Sequence, residues 1–128
     1  MKKIIFIFLT YILILFDSNA RAEQIIQELK IGLLVPFSGV YKKLGDEMLL
    51  STQLALNEID DDNIVIIPRD SGFENKEKLN RAIQEIIDEG AKIIIGPVDS
   101  SLTKELDKYS DIIFISLSNR EPKITKNI

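Results

Sequence analysis

The chain has 128 residues, 16 of them basic and 20 acidic for a net charge of −4, and it contains neither cysteine nor histidine. Lacking cysteine, it has no disulfide to hold the fold and no thiol for lipid attachment; lacking histidine, it loses the commonest general base, the Ser-His and Cys-His pairs and nearly all zinc-site chemistry. Mild acidity, with no basic stripe and few aromatic residues to stack on bases, argues against nucleic acid as a partner.

Lys2 and Lys3 precede an apolar run from Ile4 to Phe16, and Ala20-Arg21-Ala22 supplies the small residues that a signal peptidase accepts. This succession predicts a signal peptide over residues 1–22 and a mature chain beginning near Glu23, exported to the periplasm without becoming a lipoprotein. The run is shorter than the roughly 20 apolar residues that cross a bilayer, so no stable membrane span is expected once it is removed. About a hundred residues remain, which is one domain or less.

LKIGLLV, residues 29–35, is a nearly unbroken apolar run ending at Pro36, the pattern of a strand covered on both faces. The loop PFSGVYKKLG follows. From Leu44 to Ile59 the spacing predicts an amphipathic helix with Leu44, Met48, Ala55 and Ile59 on its apolar face and Asp46, Gln53, Asn57 and Asp60 opposite. Asp60-Asp61-Asp62-Asn63 makes a polar turn. IVIIP, residues 64–68, then reads as a short β-branched strand stopped by its proline.

After the loop RDSGFEN, Asn75 is placed to cap a helix whose stripe is Leu79, Ala82, Ile83, Ile86 and Ile87, with Gly90 where a left-handed residue is wanted. The lysines and acids of this helix read as its solvated face. KIII, residues 92–95, is a third strand. Asp99 or Ser100 caps a short helix carrying Leu102, Leu106 and Tyr109, and DIIFIS, residues 111–116, is a fourth strand. The order β-α-β-α-β-α-β with short connections predicts an α/β fold: a parallel sheet with helices on both faces.

In such a sheet the loops at the carboxyl ends of the strands gather on one edge, and ligands bind where the strand order reverses. With strand order 2-1-3-4, a crevice opens between Ser38-Gly39 and Asp99-Ser100-Ser101. Glycine admits a ligand to the backbone, and serines at a helix start offer hydroxyls beside unpaired amides, which suits a carboxylate or phosphate. The same residues serve any α/β protein as a helix cap and a turn. Asp70 and Asp99 both follow strands, but their settings are those of a turn and of a helix start, so neither metal binding nor catalysis is expected of them. Neither GxGxxG nor GxxxxGK occurs, and no cofactor is implied.

IGLLVPFSGVYKKLGDEMLLSTQLALNEI resembles the opening of the type 1 periplasmic binding proteins of the Leu/Ile/Val-binding class, whose first strand leads into a Pro-x-Ser/Thr-Gly loop. IIPRDSGFENKEKLNRAIQEIIDEGAKIIIGPVDSS and IIFISLSN continue the likeness in register. Within that class PRDSG, GAKIIIGP and SLSN look most like the penicillin-binding protein activator branch. The resemblance implies a non-enzymatic, ligand-binding exported domain over residues 23–128, amounting to the first half-lobe of a two-lobed fold and so to an amino-terminal fragment. It implies ligand-contacting groups at Ser38, Ser100, Ser101, Ser118 and Arg120, with Gly39 beside the first of them. Its partners would be a small anionic or zwitterionic ligand or a cell-wall synthase whose peptidoglycan synthesis it regulates. The alternative branch is the substrate-binding protein of an ABC importer for amino acids or other small solutes; the long cation Arg120, where amino-acid binders carry a small hydroxyl residue, fits that branch poorly.

Overall fold

The computed structural model describes residues 28–118. The predicted signal peptide and Arg120 lie outside them. Strand β1 (Leu29–Val35) is followed by a 3₁₀ turn (Gly39–Tyr41) and helix α1 (Lys42–Ile59); strand β2 (Ile64–Asp70) leads to helix α2 (Lys76–Asp88). Strand β3 (Ile93–Ile95), a 3₁₀ helix (Ser100–Lys108) and strand β4 (Ile113–Ile115) complete the described fold. The strands form one parallel sheet in the order β2-β1-β3-β4. Both expectations, α/β architecture and reversal of strand order between β1 and β3, hold.

Alternation along the strands gives the sheet two apolar faces. Gly32 lies opposite Ile67 on one side and Ile94 on the other, and Ile94 pairs in turn with Phe114. Those side chains meet Leu79, Ala82, Ile83 and Ile86 of α2, and Leu102 and Leu106 of the 3₁₀ helix join the same core. The periodicity of α2 dictates this packing. Gly32 permits its closeness, because a Cβ there would come within 2.5 Å of the Ile86 side chain. Asn75 caps α2 by accepting from the Lys78 amide at 2.9 Å, and Gly90, at φ +94°, turns the chain away as expected.

On the other face α1 packs less completely. Its inner side is Gly45, Met48, Leu49, Thr52 and Leu56, whereas Leu44, Ala55 and Ile59 remain exposed. The expected stripe shared only Met48 with this face. Gly45 explains the rotation: a Cβ there would stand 2.0 Å from the Pro36 carbonyl oxygen, so the closest approach of helix to strand needs the residue without one.

Two further boundaries differ from the sequence reading. β2 runs through Pro68 to Asp70, because it is an edge strand and a missing N–H on its outer side breaks no ladder bond. The segment capped by Asp99 is a nine-residue 3₁₀ helix. No helix among the described residues is long and apolar enough to cross a membrane.

Candidate functional site

The carboxyl ends of β1 and β2 are in register, Val35 against Asp70, so the loops that follow them leave the sheet side by side. Asp70 ties those loops together. Its Oδ1 accepts from the Phe37 and Gly72 amides, both at 3.0 Å, and its Oδ2 accepts from Lys78 Nζ at 2.6 Å. Lys78 Nζ also donates to Ser38 Oγ at 2.9 Å. Partial burial pushes the Asp70 carboxyl upward, but hydrogen bonds from Lys78, Ser38 and the two amides outweigh it and hold the pKa down at about 2.

Between the loops lies a cleft of about 520 Å³ lined by Ser38, Gly39, Tyr41, Phe73, Glu74 and Lys78, among others. Its aromatic wall is the Tyr41–Phe73 pair, with ring centroids 4.1 Å apart at 36°. Glu74 adopts the left-handed conformation, at φ +61°. Its amide donates at 3.1 Å to Oδ2 of Asp99, which is buried. Asp99 also accepts from Ser101, the amide at 2.8 Å and the hydroxyl at 2.9 Å, so one carboxylate caps the 3₁₀ helix and anchors the loop after β2.

Ser38 and Gly39 thus stand in the cleft as lining residues. The Ser101 hydroxyl is directed to Asp99, the Ser100 carbonyl accepts from Thr103 Oγ1 at 2.9 Å, and the Ser118 amide donates to Ser116 Oγ at 3.3 Å. None of these three is among the residues that line the cleft. Arg120 falls outside the described residues.

Sequence reasoning missed Tyr41, Phe73, Glu74 and Lys78. Lys78 was read as part of a solvated helix face, yet it reaches back to Asp70 and Ser38. A signal existed: Lys78 is a cation in the first helical turn, where the dipole favours acids, so it needs a carboxylate from elsewhere.

Lys78 Nζ bridges Ser38 Oγ and the Asp70 carboxylate, so one cation holds the two loops together. Asp70 and Asp99 each spend both oxygens on separate donors, and no group of three or more acids able to hold a metal occurs among the described residues.

A family model for periplasmic binding proteins matches residues 28–127. The chain belongs to the periplasmic binding protein family. The match supports the type 1 class and spans every strand and helix described above. No curated protein and no solved structure matches the chain. Membership carries three general properties: binding of small ligands, a periplasmic or exported location, and an activity that is generally not enzymatic.

Proposed function

We propose that this chain is an exported, non-enzymatic regulator of the penicillin-binding protein activator kind, which governs peptidoglycan synthesis by engaging a cell-wall synthase. The mature domain begins near Glu23 in this reading. The observation that carries it is the internal use of the hydroxyls a free amino acid would need. Ser38 Oγ accepts from Lys78, and Ser101 Oγ donates to Asp99. Hydroxyls engaged in this way have less to offer a free amino acid, since a new bond must replace one already made.

Ser38, Gly39, Ser100, Ser101, Ser118 and Arg120 remain the proposed ligand-facing set, available to an anionic or zwitterionic group once these internal bonds exchange. One or two net hydrogen bonds at roughly 1 kcal/mol each do not offset the roughly 4 kcal/mol or more lost on association. Free amino acids should therefore bind no tighter than the millimolar range. Calorimetric titration of the mature chain with an amino-acid panel, beside co-purification with a cell-wall synthase, tests the reading. Synthase capture without amino-acid binding supports it; a micromolar amino-acid constant overturns it in favour of an importer component.

A further inference from the structure

We propose that the cleft between the loops after β1 and β2 is a site for a small organic cation, an ammonium or guanidinium on a short alkyl stem, received by the Glu74 carboxylate and the Tyr41–Phe73 wall. The inference concerns the cleft alone and stands whether or not the chain engages a synthase.

The donors that an anion would need there are already in use. Lys78 Nζ lies 2.6 Å from Asp70 Oδ2 and 2.9 Å from Ser38 Oγ, so its charge is matched within the wall of the cleft. Gly72 makes room for this: a Cβ at that position would collide with the Lys78 stem. The Ser38 hydroxyl is in turn hydrogen-bonded to Asp70. Both groups face inward, toward one carboxylate.

The acid beside them is unspent. Glu74 is exposed, and among the described residues only its amide is engaged, donating to Asp99 Oδ2. The neighbouring cations have acids of their own: Lys42 pairs with Asp46, Lys43 with Glu47 and Lys76 with Glu105. Since Lys78 and Asp70 cancel, Glu74 leaves the cleft net negative. The loop holds Glu74 at φ +61°, in the region where glycine is ordinarily used, and the buried Asp99 fixes its amide there. An acid is thereby stationed at the cleft by a backbone that favours no side chain.

The aromatic wall supplies the second half of the recognition. Ring faces carry negative potential and attract a cation lying within about 6 Å of the centroid. Tyr41 and Phe73 offer that surface beside the unpaired carboxylate, so the rings can take the stem and the diffuse charge while the acid takes the N–H groups. A guanidinium suits this pairing especially, because it is planar, stacks on rings and is weakly hydrated. At about 520 Å³ the cleft falls within the roughly 300–1,000 Å³ of small-molecule sites, which favours a free ligand over a protein side chain.

The test is an NMR titration of the full chain with butylguanidinium, with butyrate as the control of like stem and opposite charge. Butylguanidinium should give saturable shifts at the amides of Phe73 and Glu74, and butyrate should give none. Glu74→Gln should weaken the binding about fivefold, as for an exposed ion pair, and Phe73→Leu about threefold, with circular dichroism unchanged in both. Glu74→Lys, which reverses the charge and leaves the amide to Asp99 in place, should abolish it. The proposal is overturned by an absence of saturable shifts, by butyrate binding as well as butylguanidinium, or by a Glu74→Lys variant that still binds the cation. An arginine in a short end-blocked peptide that binds about tenfold more tightly than butylguanidinium would assign the cleft to a polypeptide and overturn the free ligand.

Discussion

The two faces of the sheet are built from equally apolar strands, yet only one is closed. On the α2 face Leu34, Ile67, Ile94 and Phe114 disappear beneath two helices, and Leu79, Ile83 and Ile86 have no exposure at all. On the α1 face Leu33 and Val35 are buried, but Ile113 and Ile115 stand in the open beside exposed leucines of α1. The difference teaches that apolar composition alone does not locate a core. A core forms where a single apolar stripe on the helix matches the apolar stripe on the strands.

The sharpest way to break that comparison is to open the closed face. Ile86→Ala removes a fully buried side chain that also packs over Gly32. The loss should be about 2–5 kcal/mol, because the neighbours relax only partly around the cavity. Urea unfolding of the variant and the parent measures it, and a loss below about 1 kcal/mol would show that the α2 face is not the stabilising one.

The next largest effect lies at the edge where both faces meet the cleft. The Asp70 pKa is lowered from 3.8 to about 2, so its carboxylate contributes stability above the unfolded value. That contribution disappears as pH falls from about 4 through about 2, in the ordinary direction for a depressed carboxyl. With solvent screening at a partly exposed pair it amounts to about 1–2 kcal/mol. Asp70→Asn should abolish this acid-dependent segment of the stability curve, since an amide does not titrate. An unchanged slope between pH 4 and pH 2 would assign the acid sensitivity to another carboxylate.

A smaller step tests the start of α2. The Asn75 side chain accepts from the Lys78 amide, and Lys78 must be held at this turn to reach Asp70 and Ser38. Asn75→Ala should destabilise by about 1 kcal/mol. It should also raise the Asp70 pKa through loosened contact with Lys78, which carboxyl NMR titration reads directly.

These predictions follow the line between what was legible in the chain and what was not. α2 was readable because Leu79, Ala82, Ile83 and Ile86 repeat on one side with a cap before them and a glycine after. The parallel sheet was readable from the alternation of elements, whereas the order β2-β1-β3-β4 was an assumption that the fold then met. The inner side of α1 was not, because Leu44, Leu49, Leu50, Leu54, Leu56 and Ile59 populate too many sides for periodicity to choose one. The deciding residue was Gly45, whose role is a close approach to Pro36 that exists only in three dimensions. Pro68 misled for a related reason: a proline ends a central strand but is tolerated on an edge.

The candidate site was legible in its hydroxyls and illegible in its partners. Ser38 and Gly39 announce a loop able to meet a ligand, and they do line the cleft. That Lys78 would occupy Ser38, and Asp99 would occupy Ser101, depends on contacts 40 residues apart in one case and two in the other. The short-range contact is a capping pattern and was foreseeable. The long-range one was half visible: a lysine in the first helical turn sits against the dipole and calls for a carboxylate, but nothing in the sequence says which residues its stem will reach.

The smallest expected effect falls on the open face, and it is the one that separates the two faces cleanly. Leu54→Gln exchanges residues of nearly equal helix propensity, so any change reports burial alone. Leu54 is largely exposed. Its replacement should therefore alter stability by no more than about 0.5 kcal/mol, far below the loss at Ile86. Urea unfolding of parent and variant reads the difference, and a loss above about 1 kcal/mol would mean that the outward side of α1 is enclosed after all.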